Sequence, residues 1–318
     1  MELKNKSNQK IRVIFMGTPE FAILGLKELL AAPALEIVGV FTQTDKPVGR
    51  QQLLTSSPVK TLALKNNLPV FQPAKIRTEI EIIKKLVPDL IVVIAYGQII
   101  PAEILAIPTY GCINVHASLL PLYRGAAVLN APILNGDSET GVTIMKMDTG
   151  LDTGPILRQA KIKLNGRETL TEVHDKLSSL GAGLLIPTLL DLIAGKIKPQ
   201  PQDQSRATIV KTLKKEDGKI DWSKPAVEIE RMIRAYNPWP GTYSAMGEKN
   251  LKIITVKSEI LKGNNHQPGE IFLDDNELAI QSGQDSLVIL RLQAAGKKIM
   301  TAKEFLAGHQ EIIGKILK

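Results

Sequence analysis

Short apolar runs alternate with helix-like stretches between residues 10 and 195, and that order restricts the fold more than any other feature. The runs at 11–16, 37–42, 90–95, 113–116 and 142–147 each stop at a glycine or a polar residue. Segments with helical spacing separate them at 19–30, 58–66, 78–86 and 127–135. A short strand at 70–71, a strand at 156–164 and a long helix at 170–194 complete the series, with Gly195 placed to end that helix. This pattern predicts an open, mostly parallel, Rossmann-like sheet covered by helices. The turn after the first run, Gly17-Thr18-Pro19-Glu20, lacks the glycine spacing of a dinucleotide-binding turn and so disfavours that ligand.

The pattern breaks at 196–205, where Pro, Gln and charged residues follow one another without periodicity. We read residues 1–195 as one domain, 196–212 as a linker and 213–318 as a second domain. After an amphipathic helix at 226–235 the second domain consists of short strands at 242–245, 251–256, 270–273, 278–281 and 287–292. Their spacing predicts a small β-barrel of the oligonucleotide-binding (OB-like) kind.

Composition narrows the chemistry. Cys112 is the single cysteine, which excludes a disulfide framework and a cysteine-rich metal site. The four histidines are far apart in sequence and show no metal-ligand spacing, so no metal is expected. No uninterrupted apolar run reaches the ~18 residues of a membrane span. The polar, basic start is unlike a signal peptide, and a cytoplasmic protein is expected. The net charge of +8 is spread along the chain and permits a polyanionic partner.

The stretch 111–125, GCINVHASLLPLYRG, carries the strongest chemical signal. Ile113 and Val115 suit a buried strand, and Cys112, Asn114 and His116 share its other face. Asn and His side by side where a strand stops either cap nearby backbone or line a pocket that needs donors. A second polar turn, GLDTGP at 150–155, supplies a carboxylate one unit later. If strand 142–147 is a parallel neighbour of 113–116, Asn114, His116 and Asp152 converge beyond the strand ends. The chemistry that suits them is acyl transfer to an amine. Asn114 and His116 offer donors to an oxyanion, and His116 paired with Asp152 relays protons. Asp148 and Asp152 share a loop, but no further carboxylates stand close by to complete a magnesium site.

These motifs resemble the folate-dependent formyltransferases, in which N-x-H-x-S-L-L-P and D-T-G mark the active site. IRVIFMGTPEFA at 11–22 and AYGQIIP at 95–101 are similar to the branch that formylates methionyl-tRNA. So are GKIDWS at 218–223 and NPWPGTYS at 237–244. The resemblance implies 10-formyltetrahydrofolate as co-substrate and the α-amine of initiator methionyl-tRNA as acceptor. It implies catalysis by Asn114, His116 and Asp152, folate along Ser118, Leu119, Leu120 and Pro121, and the pterin near Tyr96, Gly97 and Gln98. Phe21 either lines a methionyl pocket or packs its helix on the sheet.

The loop at 44–57 is long, basic and polar. The resemblance gives it a tRNA-contacting role through Lys46 and Arg50; the alternative is a solvated loop with incidental charge. Gln51-Gln52-Leu53 stands where relatives often carry further lysines, so a shallower salt dependence is expected. Trp222, Trp239 and Tyr243 are expected either in the core of the second domain or stacked on bases. The rival acceptor is a nucleotide-linked amino sugar, which would use the same three polar residues and the same folate slot.

Overall fold

The computed structural model describes residues 10–49, 52–247, 249–263 and 265–318. Residues group into two compact units. The first is Met1–Gly125, Thr140–Ile162 and His174–Ile209; the second is Ala126–Glu139, Lys163–Val173 and Val210–Lys318.

In chain order the strands up to the long helix are β1 (Ile11–Gly17), β2 (Leu35–Phe41), β3 (Lys46–Val48), β4 (Leu53–Thr55), β5 (Val70–Phe71), β6 (Leu90–Ile94), β7 (Cys112–His116), β8 (Arg124–Gly125), β9 (Glu139–Lys146) and β10 (Ile156–Lys163). The helices are α1 (Ile23–Ala31), α2 (Pro58–Lys65), α3 (Ile80–Lys85), α4 (Ala102–Leu105), α5 (Ala131–Asn135) and α6 (Leu170–Ile193). Seven strands form one sheet in the order β10-β9-β7-β6-β1-β2-β5. The five from β7 to β5 run parallel, as an alternation of strands and helices demands.

One neighbour differs from expectation. β9 is antiparallel to β7, with Ile113 opposite Lys146 and His116 opposite Thr143. A parallel return needs a crossover of a dozen or more residues that covers the sheet. Between β7 and β9 the chain offers only the five-residue α5, which belongs to the second compact unit. The carboxyl end of β9 therefore lies beside Cys112, and Met147 N–H donates to the Cys112 carbonyl at 2.8 Å.

Both faces of the sheet are covered. Ile14, Met16, Ile91, Val93, Tyr96 and Cys112 form one buried layer with Ile76, Ile83 and Ile104. The opposite face meets α1 and α6 at glycines. A Cβ on Gly25 would lie 2.4 Å from Ile94 Cδ1, and one on Gly181 would lie 2.9 Å from Val115 Cγ1. By length and composition α6 is long and apolar enough to cross a membrane, although charged and polar residues interrupt its apolar run. Its Val173, Leu177, Leu185 and Leu189 are buried in the fold. The segment 44–57, expected as an irregular loop, contains the β3–β4 hairpin, with Lys46 opposite Thr55.

The remaining elements are β11 (Ile209–Val210), α7 (Ala226–Tyr236), β12 (Thr242–Met246), β13 (Lys249–Val256), β14 (Ile271–Asp274), β15 (Glu277–Gln281), β16 (Ser286–Ala294), β17 (Met300–Thr301) and α8 (Ala302–Leu306). The sheet order is β12-β13-β16-β15-β14, with β17 on β16, and neighbouring strands run antiparallel throughout. Residues 315–318 bridge its two ends. Lys318 exchanges backbone hydrogen bonds with Ala245 of β12, and Ile271 N–H of β14 donates to the Lys315 carbonyl at 2.9 Å. Leu317 is buried in the core beside Leu251, Ile280, Leu292 and Phe305. Helix α7 contributes Ala226, Ile229 and Ile233, spaced at three and four so that one face is apolar. Trp222 is part of this core and its Nε1–H donates to Ser244 Oγ at 2.9 Å; Trp239 is exposed.

Candidate active site

The site grows from the alternation in β7. Val115 faces α6, while Asn114 and His116 continue the face of buried Cys112. Burial pushes the Cys112 thiol up to about 12, so at neutral pH it has no thiolate character and is no nucleophile.

His116 is 6% exposed and held from two sides. Its Nε2 lies 2.9 Å from the Tyr123 carbonyl, an acceptor only, which assigns a proton to that nitrogen. Its Nδ1 lies 3.7 Å from Asp152 Oδ1. The imidazole thus stands between two acceptors, with one proton to share when neutral and two when charged. Because Nε2–H is directed to Tyr123, the nitrogen left for chemistry is the one facing the carboxylate. Asn114 Nδ2 donates to the same Asp152 Oδ1 at 3.5 Å, at the weak limit of a hydrogen bond. Its amide keeps donor capacity for another acceptor.

Asp152 arrives by a route the sequence did not suggest. β9 ends beside Cys112, so the loop that follows must lie back along β7 to bring the carboxylate to Asn114 and His116. The neck of the loop is closed by Lys146 N–H on the Pro155 carbonyl at 3.0 Å. Gly154 packs against the same neck: a Cβ there would fall 1.8 Å from the Lys146 carbonyl oxygen. Asp148 Oδ1 accepts Thr153 Oγ1–H at 2.6 Å and Gly150 N–H at 3.0 Å, so this second carboxylate fixes the loop. Asp152 itself has φ +52°, a left-handed conformation, and its Oδ2 accepts Gly125 N–H at 2.8 Å.

Ser118–Pro121 follow β7 directly. Ser118 is fully buried and its Oγ–H donates to the Leu122 carbonyl at 2.6 Å. Thr143 Oγ1 donates to the Ser118 carbonyl at 2.7 Å and accepts from Leu120 N–H at 3.0 Å and from Gln159 Nε2 at 2.8 Å. Leu120 is buried; Leu119 and Pro121 are half-buried. Ser118 and Leu120 are therefore spent on the framework of this segment.

Tyr96, Gly97 and Gln98 form the turn after β6. The Tyr96 carbonyl accepts Thr18 Oγ1–H and Gln43 Nε2–H, each at 3.0 Å. Gly97 has φ +82°, and a Cβ there would lie 2.2 Å from Gln43 Nε2. The Gln98 side chain is occupied: its Oε1 accepts Ile76 N–H at 2.7 Å and its Nε2 donates to the Pro73 carbonyl at 3.1 Å. The Tyr96 ring belongs to the core, and its hydroxyl is buried without a hydrogen-bond partner among the described residues. Burial, with a smaller contribution from Glu79, raises the hydroxyl's pKa. An unpaired buried hydroxyl costs about 1–3 kcal/mol. A ligand edge that reached this hydroxyl would remove that cost.

The other expected residues fall as follows. Lys46 Nζ donates to Gln43 Oε1 at 2.6 Å, which links the β3–β4 hairpin to the Tyr96 carbonyl. Arg50 and Gln51 lie outside the described residues. Phe21 is buried, with its ring edge-on to His174 at 5.4 Å and its carbonyl bonded to Ser178 Oγ–H, a packing role on α6. In the second unit a cavity of about 230 Å³ is lined by Arg167, Glu230, Arg231 and Arg234 among others and includes none of the expected site residues. The residues missed from sequence are glutamines: Gln43, Gln159 and Gln202. Each bonds to groups dozens of positions away, and no local pattern marks such a partner.

Asn114 and His116 of β7 and Asp152 of the following loop thus meet, with His116 buried and the other two half-buried. The chain belongs to the formyl transferase family: the formyl transferase model matches residues 9–189, and the formyl transferase C-terminal domain model matches 212–310. It is 50% identical over 308 residues to the methionyl-tRNA formyltransferase of Trichlorobacter lovleyi, covering 96% of each chain. It is 46% identical to that of Geobacter sulfurreducens, covering 94% of each. The fold is similar to that of the N-formyltransferase from Helicobacter canadensis solved with folinic acid and dTDP-3-aminofucose (TM-score 0.66, 21% identity, 89% of this chain and 99% of that one). It is also similar to that of methionyl-tRNA formyltransferase from Clostridium thermocellum (TM-score 0.55, 21% identity, 78% and 94%).

Proposed function

We propose that this chain transfers a formyl group from 10-formyltetrahydrofolate to the α-amine of methionyl-initiator tRNA, in the cytoplasm, with Asn114, His116 and Asp152 as the catalytic residues. The meeting of those three side chains supports the reaction class. Similarity at 42–50% identity over nearly the whole chain to methionyl-tRNA formyltransferases supports the acceptor. The functional division is residues 1–195 for chemistry and 213–318 for the tRNA, joined by 196–212.

The folate co-substrate supplies an activated one-carbon unit. What the chain supplies is a donor, a proton path and a fixed geometry. Asn114 Nδ2–H is placed to stabilise negative charge that develops on the formyl oxygen, the interaction that contributes most in such sites. The acceptor amine loses one proton and the departing nitrogen gains one, so the net proton change is zero. His116 Nδ1 and Asp152 carry that proton, while Tyr123 and Gly125 hold the ring and the carboxylate still. The α-amine of an aminoacyl ester titrates at or below the ~7.7–8.0 of a chain terminus, so a neutral fraction is present at pH 7 without a strong base. Tyr96–Gln98 and Ser118–Pro121 are assigned to the folate slot, with Gln98, Ser118 and Leu120 as its framework; Lys46 and Arg50 are assigned to the acceptor end of the tRNA, and Phe21 to the methionyl side chain.

Sugar formyltransferases share the fold at 21% identity, which bears on architecture alone. The deciding experiment offers formyl-folate with methionyl-initiator tRNA in one reaction and with a nucleotide-linked amino sugar in another. Formylmethionyl-tRNA in the first and no product in the second is expected. Preferential formylation of the sugar would overturn the assignment.

A further inference from the structure

The 196–212 segment reads as a spacer, yet it holds a residue wired into the catalytic loop. Gln202 is 7% exposed, and both ends of its carboxamide are used. Its Nε2 donates to the carbonyls of Asp152 at 2.8 Å and Gly154 at 2.7 Å. Its Oε1 accepts from Arg124 Nε at 3.1 Å and Nη2 at 2.7 Å. Only this orientation of the amide pairs every donor with an acceptor, since carbonyls accept and a guanidinium donates.

Arg124 is itself unusual. It is 5% exposed, and among the described residues its guanidinium is met by no carboxylate. It is held by Gln202 and by Gln204 Oε1, which accepts Nη1–H at 2.8 Å. Its chain neighbours are the two backbone groups that fix the catalytic pair: the Tyr123 carbonyl on His116 Nε2 and Gly125 N–H on Asp152 Oδ2. One glutamine therefore ties the loop that carries Asp152 to the segment that holds both His116 and the Asp152 carboxylate. Hydrogen bonds from a buried guanidinium are stronger than neutral ones and fix the tie.

We infer that Gln202 is a positioning residue for this reaction: it sets the Asp152–His116 geometry from outside the stretches that carry the catalytic residues. The inference rests on the proposed role of Asp152. Gln202 touches no reacting atom, so its removal leaves substrate binding in place and slows the chemical step.

The test uses the full-length protein, 10-formyltetrahydrofolate and methionyl-tRNA. Gln202→Glu keeps the size of the side chain and its bond to Arg124 but sets acceptors against the Asp152 and Gly154 carbonyls. Gln202→Met keeps the length and removes every hydrogen bond. Either variant is expected to lower kcat by about 10–100-fold, the cost of roughly ångström-scale misplacement, with both KM values within about threefold of the parent. Thermal unfolding shows whether each variant is folded at the assay temperature, and the second variant stands in if the first is not. A merely structural role would predict loss in proportion to the unfolded fraction.

The second measurement is a cycle with Asp152→Asn. If Gln202 acts through Asp152, Gln202→Glu costs less than about twofold further in that background. Full multiplication of the two effects, or a folded Gln202→Glu protein within about threefold of the parent kcat, overturns the inference while leaving the catalytic trio intact. Normal turnover in Asp152→Asn alone removes the reading of the site and this inference with it.

Discussion

Replacing Gly154 by alanine adds one methyl group where the chain has no room. The new Cβ would lie 1.8 Å from the Lys146 carbonyl oxygen and 3.0 Å from its carbon. Real Cβ contacts essentially never fall under 3.0 Å, so the loop must shift by at least about 1.2 Å at this point. Asp152 is two residues upstream, and the Gly154 carbonyl is one of the two acceptors for Gln202. Misplacement of a catalytic group by about 1 Å costs on the order of 100-fold in rate. Overpacking a site costs about 1–3 kcal/mol of a total near 5–15 kcal/mol, so the protein stays folded. At roughly 2–4 °C per kcal/mol the melting temperature falls by about 2–12 °C. Single-turnover formylation of methionyl-tRNA, followed beside thermal unfolding, reads both quantities. Gly183→Ala is the control, since nothing lies within 4 Å of its added Cβ on the exposed side of α6. It should keep the parent rate and gain roughly 0.5–1 kcal/mol. A Gly154→Ala protein within threefold of the parent rate would refute the claim that the neck of the loop sets Asp152.

Three further outcomes follow from the same geometry. Tyr96→Phe removes a buried hydroxyl that has no partner among the described residues, so the ligand-free protein should be as stable or up to about 1 kcal/mol more stable. If folate supplies that partner, the variant should bind folate about 3–10-fold more weakly, and unchanged binding by titration would remove the contact. Trp222→Ala should cost about 3–5 kcal/mol by denaturant unfolding, because the ring is core and its Nε1–H serves Ser244. Asp45 is held below its ordinary value chiefly by its hydrogen bond from Lys60, and next by Gln72. A depressed folded value means the pairing stabilises the protein at neutral pH and is lost as pH falls from 3.8 through that lower value. Amide exchange at Leu53–Thr55 should accelerate over that window, and Asp45→Asn should abolish the dependence.

Much of this molecule could be read from periodicity alone. Apolar runs gave the five parallel strands, and the two-residue alternation at 112–116 placed Asn114 and His116 on one face. The direction of β9 was not legible, because it depends on whether the intervening chain can cover the sheet, and α5 is too short to do so. Asp152 still reaches the other two, by a loop lying back along β7 rather than at neighbouring strand ends. Gln202 was hidden because a Pro- and Gln-rich stretch looks like a spacer; its partners at 124, 152 and 154 exist only after folding. Bridging of the barrel's ends by residues 315–318 was hidden for the same reason, since four residues carry no strand period. Tyr96 was legible as a turn residue, but whether its ring faces a ligand or the core depends on packing from Ile76 and Ile104.

In the proposed mechanism Asn114 acts on the reacting carbonyl rather than holding the fold. Single-turnover formyl transfer by Asn114→Ala, with folate affinity measured on the same protein, tests this directly. The expected result is a rate lowered by about 10²–10³-fold with folate binding within threefold of the parent, the loss typical of one oxyanion donor. A rate within threefold of the parent would contradict it.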